Sequence, residues 1–266
     1  MGLEILEKIH DIPEGLSETS TFNKKDIIIA KAITDNKTTY IKLDHNEHRQ
    51  IMIANNETRL EPVIPYKNIE RFIGMIFGGS GTGKTLIASE FISQYNKITG
   101  GTSIYICSTS IDDDVNLSKL KDIVKQIDIS DIYNDKMPKA ELREMIKNLF
   151  ANKFVVFDDN DLASDEKNIR SFRDLLCEVG RKFNTSILFI SHKNADAHKT
   201  KIILNELTFY ICFKKNLKKN RILTEYYGID IDYLKNIKTK SWAMFNFKYN
   251  KVITPYEIKD FEVSSE

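Results

Sequence analysis

The chain has 266 residues, a formal net charge of +1, and 41% hydrophobic and 29% charged residues, which is the composition of an ordinary globular protein with a sizeable core. No apolar run approaches the roughly 18 residues that a membrane-spanning helix needs, so we expect no integral membrane segment. Cys107, Cys177 and Cys212 stand singly in apolar or helical stretches, without the spacing of a metal site. We therefore expect reduced cysteines in the core of an intracellular protein.

Residues 1 to about 65 contain short runs of β-type alternation, DIIIAKAI, TTYIKL and RQIMIAN, which are separated by the turn-forming TDNK and DHNEH. A period of two is typical of strands that bury one face. The sequence therefore predicts a small β-rich N-terminal segment over residues 1–65. A second domain over residues 66–266 follows it.

From Arg71 onward, runs of strand type alternate with runs of helix type. This alternation predicts βαβ units in an α/β domain, with a mostly parallel sheet and helices on both faces. The predicted strands are RFIGMIF, TSIYICS, KFVVFDD and TSILFISH, and the predicted helices are TLIASEFISQY, NLSKLKDIVKQI, KAELREMIKNLF and EKNIRSFRDLLCEVGRKF. Further along, the chain is predicted to form a strand in LTFYICFKKN, short helices in RILTEYYG and DIDYLKNIK, and a closing strand or hairpin in SWAMFNFKYNKVIT.

The stretch FGGSGTGKT, between the first of these strands and the first of these helices, matches the P-loop pattern GxxxxGK followed by Ser or Thr. Its glycines allow successive backbone N–H groups to turn toward one anion, and the helix N-terminus favours the same charge. In this Walker A motif we expect Lys84 to reach the β- and γ-phosphates of ATP, and the Thr85 hydroxyl to bind Mg²⁺. The predicted nucleotide-binding residues of the loop are Gly78, Gly79, Ser80, Gly81, Thr82, Gly83, Lys84 and Thr85.

Two acidic residues end the apolar run FVVFDD and predict the Walker B motif. We expect this strand to lie beside the P-loop strand, with Asp158 holding Mg²⁺ through its water shell. Asp159 follows directly, and its carboxylate can polarise an attacking water as the general base. The motifs thus predict an ATP-hydrolysing enzyme that uses ATP and Mg²⁺, whereas an acidic strand end that faces solvent is the alternative.

The run SILFIS ends in Ser191 and His192. P-loop ATPases with an added strand carry a polar phosphate sensor at this tip, where it can contact the γ-phosphate or the attacking water. Ser191 and His192 are therefore candidate catalytic residues. A purely structural role for His192 remains the alternative.

Positive charge is concentrated late in the chain, where residues 181–251 contain 15 Lys and Arg against 5 Asp and Glu. The densest cluster is FKKNLKKNR, residues 213–221. Such a run is either a solvated face or a binding surface for a polyanion.

The motif order GGSGTGKT, IYICSTSIDDD, FVVFDD, GRKFNTSILFISHK and LTFYICFKKN followed by EYYG resembles the genome-packaging ATPases of large nucleocytoplasmic DNA viruses and virophages. These are hydrolases of the FtsK and HerA superfamily of DNA translocases. The resemblance covers roughly residues 70 to 255, and its specific part runs from Gly180 to Gly228. Relatives commonly have Gln after the Ser or Thr of the sensor tip, where this chain has His192.

The resemblance implies a RecA-like P-loop ATPase that forms a homo-oligomeric ring, hexameric or pentameric, and drives double-stranded DNA into a preformed viral capsid. It implies capsid or portal components as partners, and a location in the host cytoplasm, in a viral factory, or with the virion. It also implies an arginine finger given to a neighbour's γ-phosphate. Arg181 matches that position, and Arg170 and Arg173 on the preceding helix are rivals.

Two other functions fit the P-loop. A kinase of a small molecule could use Arg170 and Arg173 as a phosphate lid, although it would not need Asp159, a sensor strand and a basic segment together. A nucleotide-dependent assembly scaffold would bind ATP without needing its hydrolysis.

Overall fold

The structure is a computed structural model that describes residues 2–5, 27–34, 37–44, 51–52, 58–66, 71–108, 114–134, 136–158, 166–192, 197–218 and 220–261. The chain divides into two compact units. One consists of Met1–Glu70 and Thr208–Glu266, and we call it the split unit. The other is Arg71–Leu207, which we call the continuous unit.

The N-terminal part of the split unit is a β-structure. It contains β1 (Gly2–Ile5), β2 (Ile27–Thr34), β3 (Lys37–Asp44), β4 (Ile51–Met52) and β5 (Thr58–Tyr66). Antiparallel pairing gives a sheet with the order β1-β3-β2-β5. The apolar start of β2 is buried, as expected for the run DIIIAKAI, and β3 contains the run TTYIKL, so these two predicted strands are confirmed.

The continuous unit alternates strands and helices along the chain. Its elements are β6 (Ile73–Phe77), α1 (Lys84–Ile98), β7 (Ile104–Ser108), β8 (Val124–Gln126), α2 (Ile129–Ile132), α3 (Lys139–Phe150), β9 (Phe154–Asp158), α4 (Glu166–Gly180), β10 (Ser186–Ser191) and α5 (Ala197–Glu206). The strand pairs β6–β10, β10–β9, β9–β7 and β7–β8 are all parallel. The strand order is therefore β6-β10-β9-β7-β8, and the predicted α/β fold of a P-loop NTPase is confirmed.

Helices cover both faces of this parallel sheet. Phe154 and Phe157 point to opposite faces of β9, because side chains alternate along a strand. The Tyr95 ring on α1 lies 4.8 Å from that of Phe154, and the Phe172 ring on α4 lies 6.4 Å from that of Phe157. One face thus packs against α1 and the other against α4, which leaves the strand ends as the place for chemistry.

Two expectations about this unit were wrong. The run from Asn116 to Ile127 does not form one helix, because the Asp114 carboxylate accepts the N–H groups of Asn116 and Leu117 in a turn, and the β-branched Val124 begins β8. The Walker B strand β9 also does not lie directly beside β6. Strand β10 is inserted between them and pairs with both.

The second part of the split unit contains β11 (Phe209–Phe213), α6 (Lys214–Leu217), a π-helical turn (Ile222–Tyr226), α7 (Ile231–Asn236), β12 (Trp242–Asn246), β13 (Lys251–Ile253) and β14 (Glu257–Asp260). The strands β11-β12-β13-β14-β4 pair in that order, each antiparallel to the next. The predicted strand, short helices and hairpin of this region are confirmed. None of the helices in the described ranges is long and apolar enough to cross a membrane.

Candidate functional site

The P-loop is a compact turn between β6 and α1. Strand β6 is buried along its whole length and ends at Phe77, and α1 begins at Lys84. Gly81 and Gly83 have φ angles of 71° and 97°, a left-handed conformation that a residue with a Cβ adopts only at a cost. The motif glycines are therefore required by the path of the loop at these two positions.

The loop has the properties of an anion site. The N-cap of α1 is Gly83, so no side chain caps the helix, and the first turn carries no acidic residue. A Cβ added at Gly79 or Gly81 would meet no atom within 4 Å, so the backbone borders open space at both positions. A helix N-terminus with its partial positive charge beside open space is the arrangement that binds phosphate.

Lys84 is held inside this loop. The residue is only 4% exposed, and its Nζ donates to the Gly79 carbonyl at 3.0 Å. The Thr82 hydroxyl donates to the same carbonyl at 2.8 Å. The contact with the Gly79 carbonyl holds the ammonium group against the loop. It also offsets part of the cost of burying the charge.

His192 contacts Lys84 directly, with 3.2 Å between Lys84 Nζ and His192 Nδ1. An ammonium group can only donate, so Nδ1 is the acceptor in this contact. The sensor-tip histidine and the P-loop lysine are thus direct neighbours.

Asp158 ends β9 on the face that α1 covers, because it has the same parity along the strand as Phe154. It is 2% exposed, and its Oδ2 accepts the Ser108 hydroxyl at 2.9 Å. Asp158 is opposite Ile190 of β10, which in turn is opposite Ile76 of β6. The carboxylate thus lies at the same edge of the sheet as the P-loop, one strand removed from it.

The predicted general base lies outside the described residues, whereas the predicted metal ligands lie within them. Asp159 lies outside the described residues, so its role as general base stays a prediction. Thr85 is the second residue of α1 and is partly exposed, so its hydroxyl can contribute to a metal site. A buried carboxylate on the face that α1 covers and a hydroxyl in the first turn of that helix are the oxygen donors that Mg²⁺ prefers.

Ser191 contributes through its backbone. Its carbonyl accepts the Gly78 N–H at 3.2 Å and so ties the start of the P-loop to the end of β10. Alternation places the Ser191 side chain on the same face as Phe189, opposite to the face of His192. Of the two candidate sensors, His192 is the one brought to Lys84.

Arg181 lies far from its own P-loop. It begins the short 3₁₀ turn Arg181–Phe183, is exposed, and precedes β10. The P-loop, Asp158 and His192 are all at the carboxyl ends of parallel strands, so Arg181 lies at the opposite edge of the sheet. The six residues of β10 separate the two edges by roughly 20 Å, which is longer than an arginine side chain.

The rival arginines lie on α4. The Arg173 guanidinium donates to the Asp174 carboxylate at 3.1 and 3.2 Å and lies 5.9 Å from the centre of the Phe189 ring. Its side chain is 17% exposed, so it is engaged within its own subunit. Arg170 is partly buried on the same helix. Arg173 is therefore a poorer candidate for a finger than the exposed Arg181.

The basic segment of the split unit gains charge from a second segment. The Lys214 N–H donates to the Ser241 carbonyl at 2.8 Å, which joins the start of α6 to the loop before β12. No acidic residue occurs in residues 208–221 or 237–252. We call six exposed cations of these joined segments the basic surface: Lys214, Lys215, Lys218, Arg221, Lys238 and Lys240. Lys219 of the same cluster lies outside the described residues.

Three residues were not singled out from the sequence. Ser108 ends the run IYICS, where a polar residue at the end of an apolar strand was the available signal. Lys238 and Lys240 were counted in the basic region, but their place beside Lys214 depends on the pairing of β11 with β12. Sequence spacing alone gives no sign of such a contact.

No protein-family model and no curated protein matches the chain. Among solved structures, it is similar to the genome packaging NTPase B204 of Sulfolobus turreted icosahedral virus 2 in complex with sulfate, at 12% identity and a TM-score of 0.49 over 74% of this chain and 99% of that one. It is also similar to the pCW3 conjugation coupling protein TcpA with ATPγS, at 13% identity and a TM-score of 0.47 over 89% and 77%.

A third similar structure is the cytoplasmic domain of the Thermomonospora curvata Type VII secretion ATPase EccC, at 11% identity and a TM-score of 0.47 over 81% of this chain. The match covers 29% of that chain. The class that the motifs resemble, a viral genome-packaging ATPase, is thus represented among these structures. At such identities and TM-scores the likeness carries no conclusion about substrate or partner.

Proposed function

We propose that this chain is a P-loop ATPase that translocates double-stranded DNA and packages a viral genome into a preformed capsid. The observation that carries the ATPase part is the convergence of three groups at one edge of the parallel sheet. These groups are the uncapped P-loop with its buried Lys84, the buried Asp158 and the lysine-bound His192. The DNA part of the proposal rests on the basic surface, and the capsid part rests on the family resemblance.

In this mechanism the P-loop binds the phosphates of ATP. Backbone N–H groups of the loop and of the first turn of α1 point to the phosphate oxygens, and the dipole of α1 favours their charge. Lys84 supplies a positive charge to the β- and γ-phosphates, and His192 fixes the position of that ammonium group. Thr85 and Asp158 would hold Mg²⁺, which neutralises phosphate charge when it is bound.

Hydrolysis is the attack of water on the γ-phosphorus, with cleavage of its bond to the β–γ bridging oxygen and release of ADP and phosphate. Asp159 accepts the proton of that water as the general base. His192 keeps Lys84 directed at the γ-phosphate while negative charge develops there. Ser191 stabilises the loop through its carbonyl, which accepts the Gly78 N–H.

A ring of subunits completes the site. Arg181 cannot reach the phosphates of its own subunit because it lies at the other edge of the sheet. Its exposure allows it to reach a nucleotide bound by a neighbour, where an arginine in trans contributes about 10³ to 10⁵ in rate. The proposal therefore requires a homo-oligomer in which each interface joins a P-loop to the Arg181 edge of the next subunit.

The basic surface contacts DNA. Exposed Lys and Arg meet phosphates without reading bases, which suits a motor that moves along any sequence. Two carboxylates lie beside the basic surface: Glu257 accepts the Lys238 backbone N–H at 3.1 Å, and Glu225 lies 3.5 Å from the Arg221 guanidinium in a pair whose side chains are both largely exposed. An exposed pair of this kind is weak, so Arg221 remains able to exchange Glu225 for a phosphate.

The test is ATP turnover with and without duplex DNA, at low and at near-physiological salt. The proposal predicts stimulation by duplexes of unrelated sequence, and loss of that stimulation at unchanged basal turnover when Lys214, Lys215 and Lys218 are replaced by Glu. Equal, unstimulated rates in both proteins at both salt concentrations, with the oligomer intact, would refute DNA translocation. Stimulation by a nucleoside instead of DNA would identify a kinase.

A further inference from the structure

Ser108 and Asp158 form a pair at the carboxyl edge of the parallel sheet. They end the adjacent strands β7 and β9 and lie directly opposite each other in the register. Opposite residues of parallel strands point to the same face, so both side chains lie on the face that α1 covers. Ser108 is 7% exposed and Asp158 is 2% exposed, so the pair is removed from bulk water.

The contact between them is a charge-assisted hydrogen bond. The Ser108 hydroxyl donates to Asp158 Oδ2 at 2.9 Å, and an ionised carboxylate can only accept. A buried carboxylate is costly unless it is hydrogen-bonded, so this donor offsets part of the cost of burying Asp158. It also fixes the plane of the carboxylate, because one of the two oxygens is tied to a strand.

Ser108 is itself fixed from the other side. Its carbonyl accepts the Gln126 side-chain N–H at 3.3 Å, and Gln126 ends β8. Strand β7 lies between β8 and β9 and pairs with both. The hydroxyl of Ser108 is therefore carried by a backbone that is held on both sides.

We propose that Ser108 is a positioning residue for Mg²⁺ binding: its hydroxyl orients the Asp158 carboxylate that holds the hydrated metal ion of the nucleotide site. This inference rests on the proposed function, because it takes Asp158 as the residue that holds the metal. Residues that orient a metal ligand typically change metal affinity by about 10- to 100-fold when they are removed. The size of the effect separates a positioning role from simple packing.

The experiment is a Mg²⁺ titration of the binding of a fluorescent ATP analogue, without reference to turnover. For Ser108→Ala we expect the Mg²⁺ concentration at half-maximal binding to rise about tenfold or more. Binding of the analogue without Mg²⁺ should stay at the wild-type value, because the P-loop is unchanged. Ser108→Thr keeps the hydroxyl and should restore a midpoint near that of the wild type.

Ser186→Ala is the matched control. Ser186 is a buried serine that begins β10 and faces the same side of the sheet, opposite Phe154, but at the edge away from the P-loop. Its hydroxyl accepts the Phe72 N–H at 3.3 Å, so the variant also removes one buried hydrogen bond. It should lower the melting temperature about as much as Ser108→Ala and leave the Mg²⁺ midpoint unchanged.

The Mg²⁺ midpoints of these variants separate the possible outcomes. A wild-type Mg²⁺ midpoint in Ser108→Ala, or an equal shift in Ser186→Ala, overturns the positioning role. If Ser108→Thr does not fold, Ser108→Ala measured against Ser186→Ala still decides. Asp158→Asn tests the proposed function itself: if it leaves the midpoint unchanged, Asp158 does not hold the metal, whereas a shift there without one in Ser108→Ala refutes this inference alone.

Discussion

Two charged groups of the proposed nucleotide site, Lys84 and Asp158, are buried, whereas those of the basic surface are exposed. Lys84 and Asp158 are 4% and 2% exposed, and the side chain of Arg221 is 79% exposed. In the first region each charge has a partner at hydrogen-bond distance within a low-dielectric site, where a single contact is worth much. In the basic surface, water and salt screen each charge, so binding of a polyanion depends on the sum of several charges.

This difference in burial predicts which region should respond more strongly to single substitutions. A buried, positioned charge that acts in the transition state cannot be replaced by a neighbour, so its loss is nearly complete. An exposed lysine shares its task with several others, and its loss is graded and depends on salt. The predictions run from the sharpest expected effect in the ATPase to the weakest.

Arg181→Ala should give the largest loss, because the proposed oligomer places this exposed residue at the γ-phosphate of a neighbouring subunit. We expect ATP to bind normally and turnover to fall by about 10³- to 10⁵-fold, because the transition-state charge loses its arginine. Steady-state hydrolysis and analogue binding measure the two quantities. Lys182→Ala is the control, since Lys182 is an exposed cation in the same 3₁₀ turn.

The same variant tests whether the finger acts in trans. Mixing Arg181→Ala with Lys84→Ala subunits should restore part of the turnover, because mixed interfaces combine an intact P-loop with an intact arginine. Absence of rescue at every ratio, in preparations shown to exchange subunits, would exclude Arg181 and leave Arg170 as the candidate to test next.

Asp159→Asn should cause the next largest loss of turnover. It removes the general base, so we expect ATP binding to persist and turnover to fall by about 10²- to 10⁴-fold. Asp158→Asn should instead weaken Mg²⁺-dependent binding and turnover together. Pre-steady-state binding and hydrolysis distinguish these patterns, and normal turnover in Asp159→Asn would transfer the role of base to another acid such as Asp161.

Lys84→Ala should weaken ATP binding by about 100-fold, because it removes a charge-assisted contact to the phosphates from a buried site. Lys97→Ala is the matched control, since Lys97 is an exposed lysine in the last turn of the same helix. Equilibrium binding of a fluorescent analogue measures the change. Wild-type affinity in Lys84→Ala would remove the P-loop assignment.

His192→Ala should leave binding largely intact and lower turnover, because Lys84 loses its acceptor at Nδ1.

Lys238→Ala with Lys240→Ala should have a graded effect. Each phosphate contact contributes about 0.9 to the slope of log affinity against log salt, so the double variant should lower that slope by about 2. Filter binding of a duplex between 50 and 200 mM salt would measure it. Lys136→Ala with Lys139→Ala removes the same charge from exposed positions in the continuous unit, and an equal loss of slope there would show a general charge effect.

The continuous unit and the split unit should not differ in the reactivity of their cysteines. Burial raises the pKa of Cys107 and Cys177 in the continuous unit to about 12, and it raises the pKa of Cys212 in the split unit as well. The thiolate is the reactive form, so at pH 8 the native protein should label slowly at all three sites and quickly after unfolding. Rapid labelling of one cysteine in the native state would show that its core is open.

The sequence was sufficient where chemistry demands particular residues in a row. The glycines and Lys84 of the P-loop, the strand that ends in Asp158 and the basic run at residues 213–221 were all recognisable, because each is local in the chain. The alternation of strands and helices likewise predicted the parallel sheet and its covered faces, since period and length of apolar runs reflect burial.

What could not be predicted depends on pairing between distant segments. The insertion of β10 between β6 and β9 is set by the whole sheet, and it brings His192 to Lys84, whereas the pairing of β7 with β9 brings Ser108 to Asp158. The failure at Asn116–Ile127 has a related cause, because its apolar spacing fits a helix while Val124 pairs with Ile104 at the edge of the sheet. Tertiary pairing overrode the helical pattern there.

The central claim is that ATP hydrolysis moves the protein along duplex DNA, and displacement of a triplex-forming oligonucleotide from a duplex tests it most directly. The account predicts displacement by the wild-type oligomer with ATP, and none with a non-hydrolysable analogue or with Asp159→Asn. Replacing Lys214, Lys215 and Lys218 by Glu should abolish displacement while basal hydrolysis continues. An intact oligomer that hydrolyses ATP in the presence of DNA and never displaces the third strand would contradict the account.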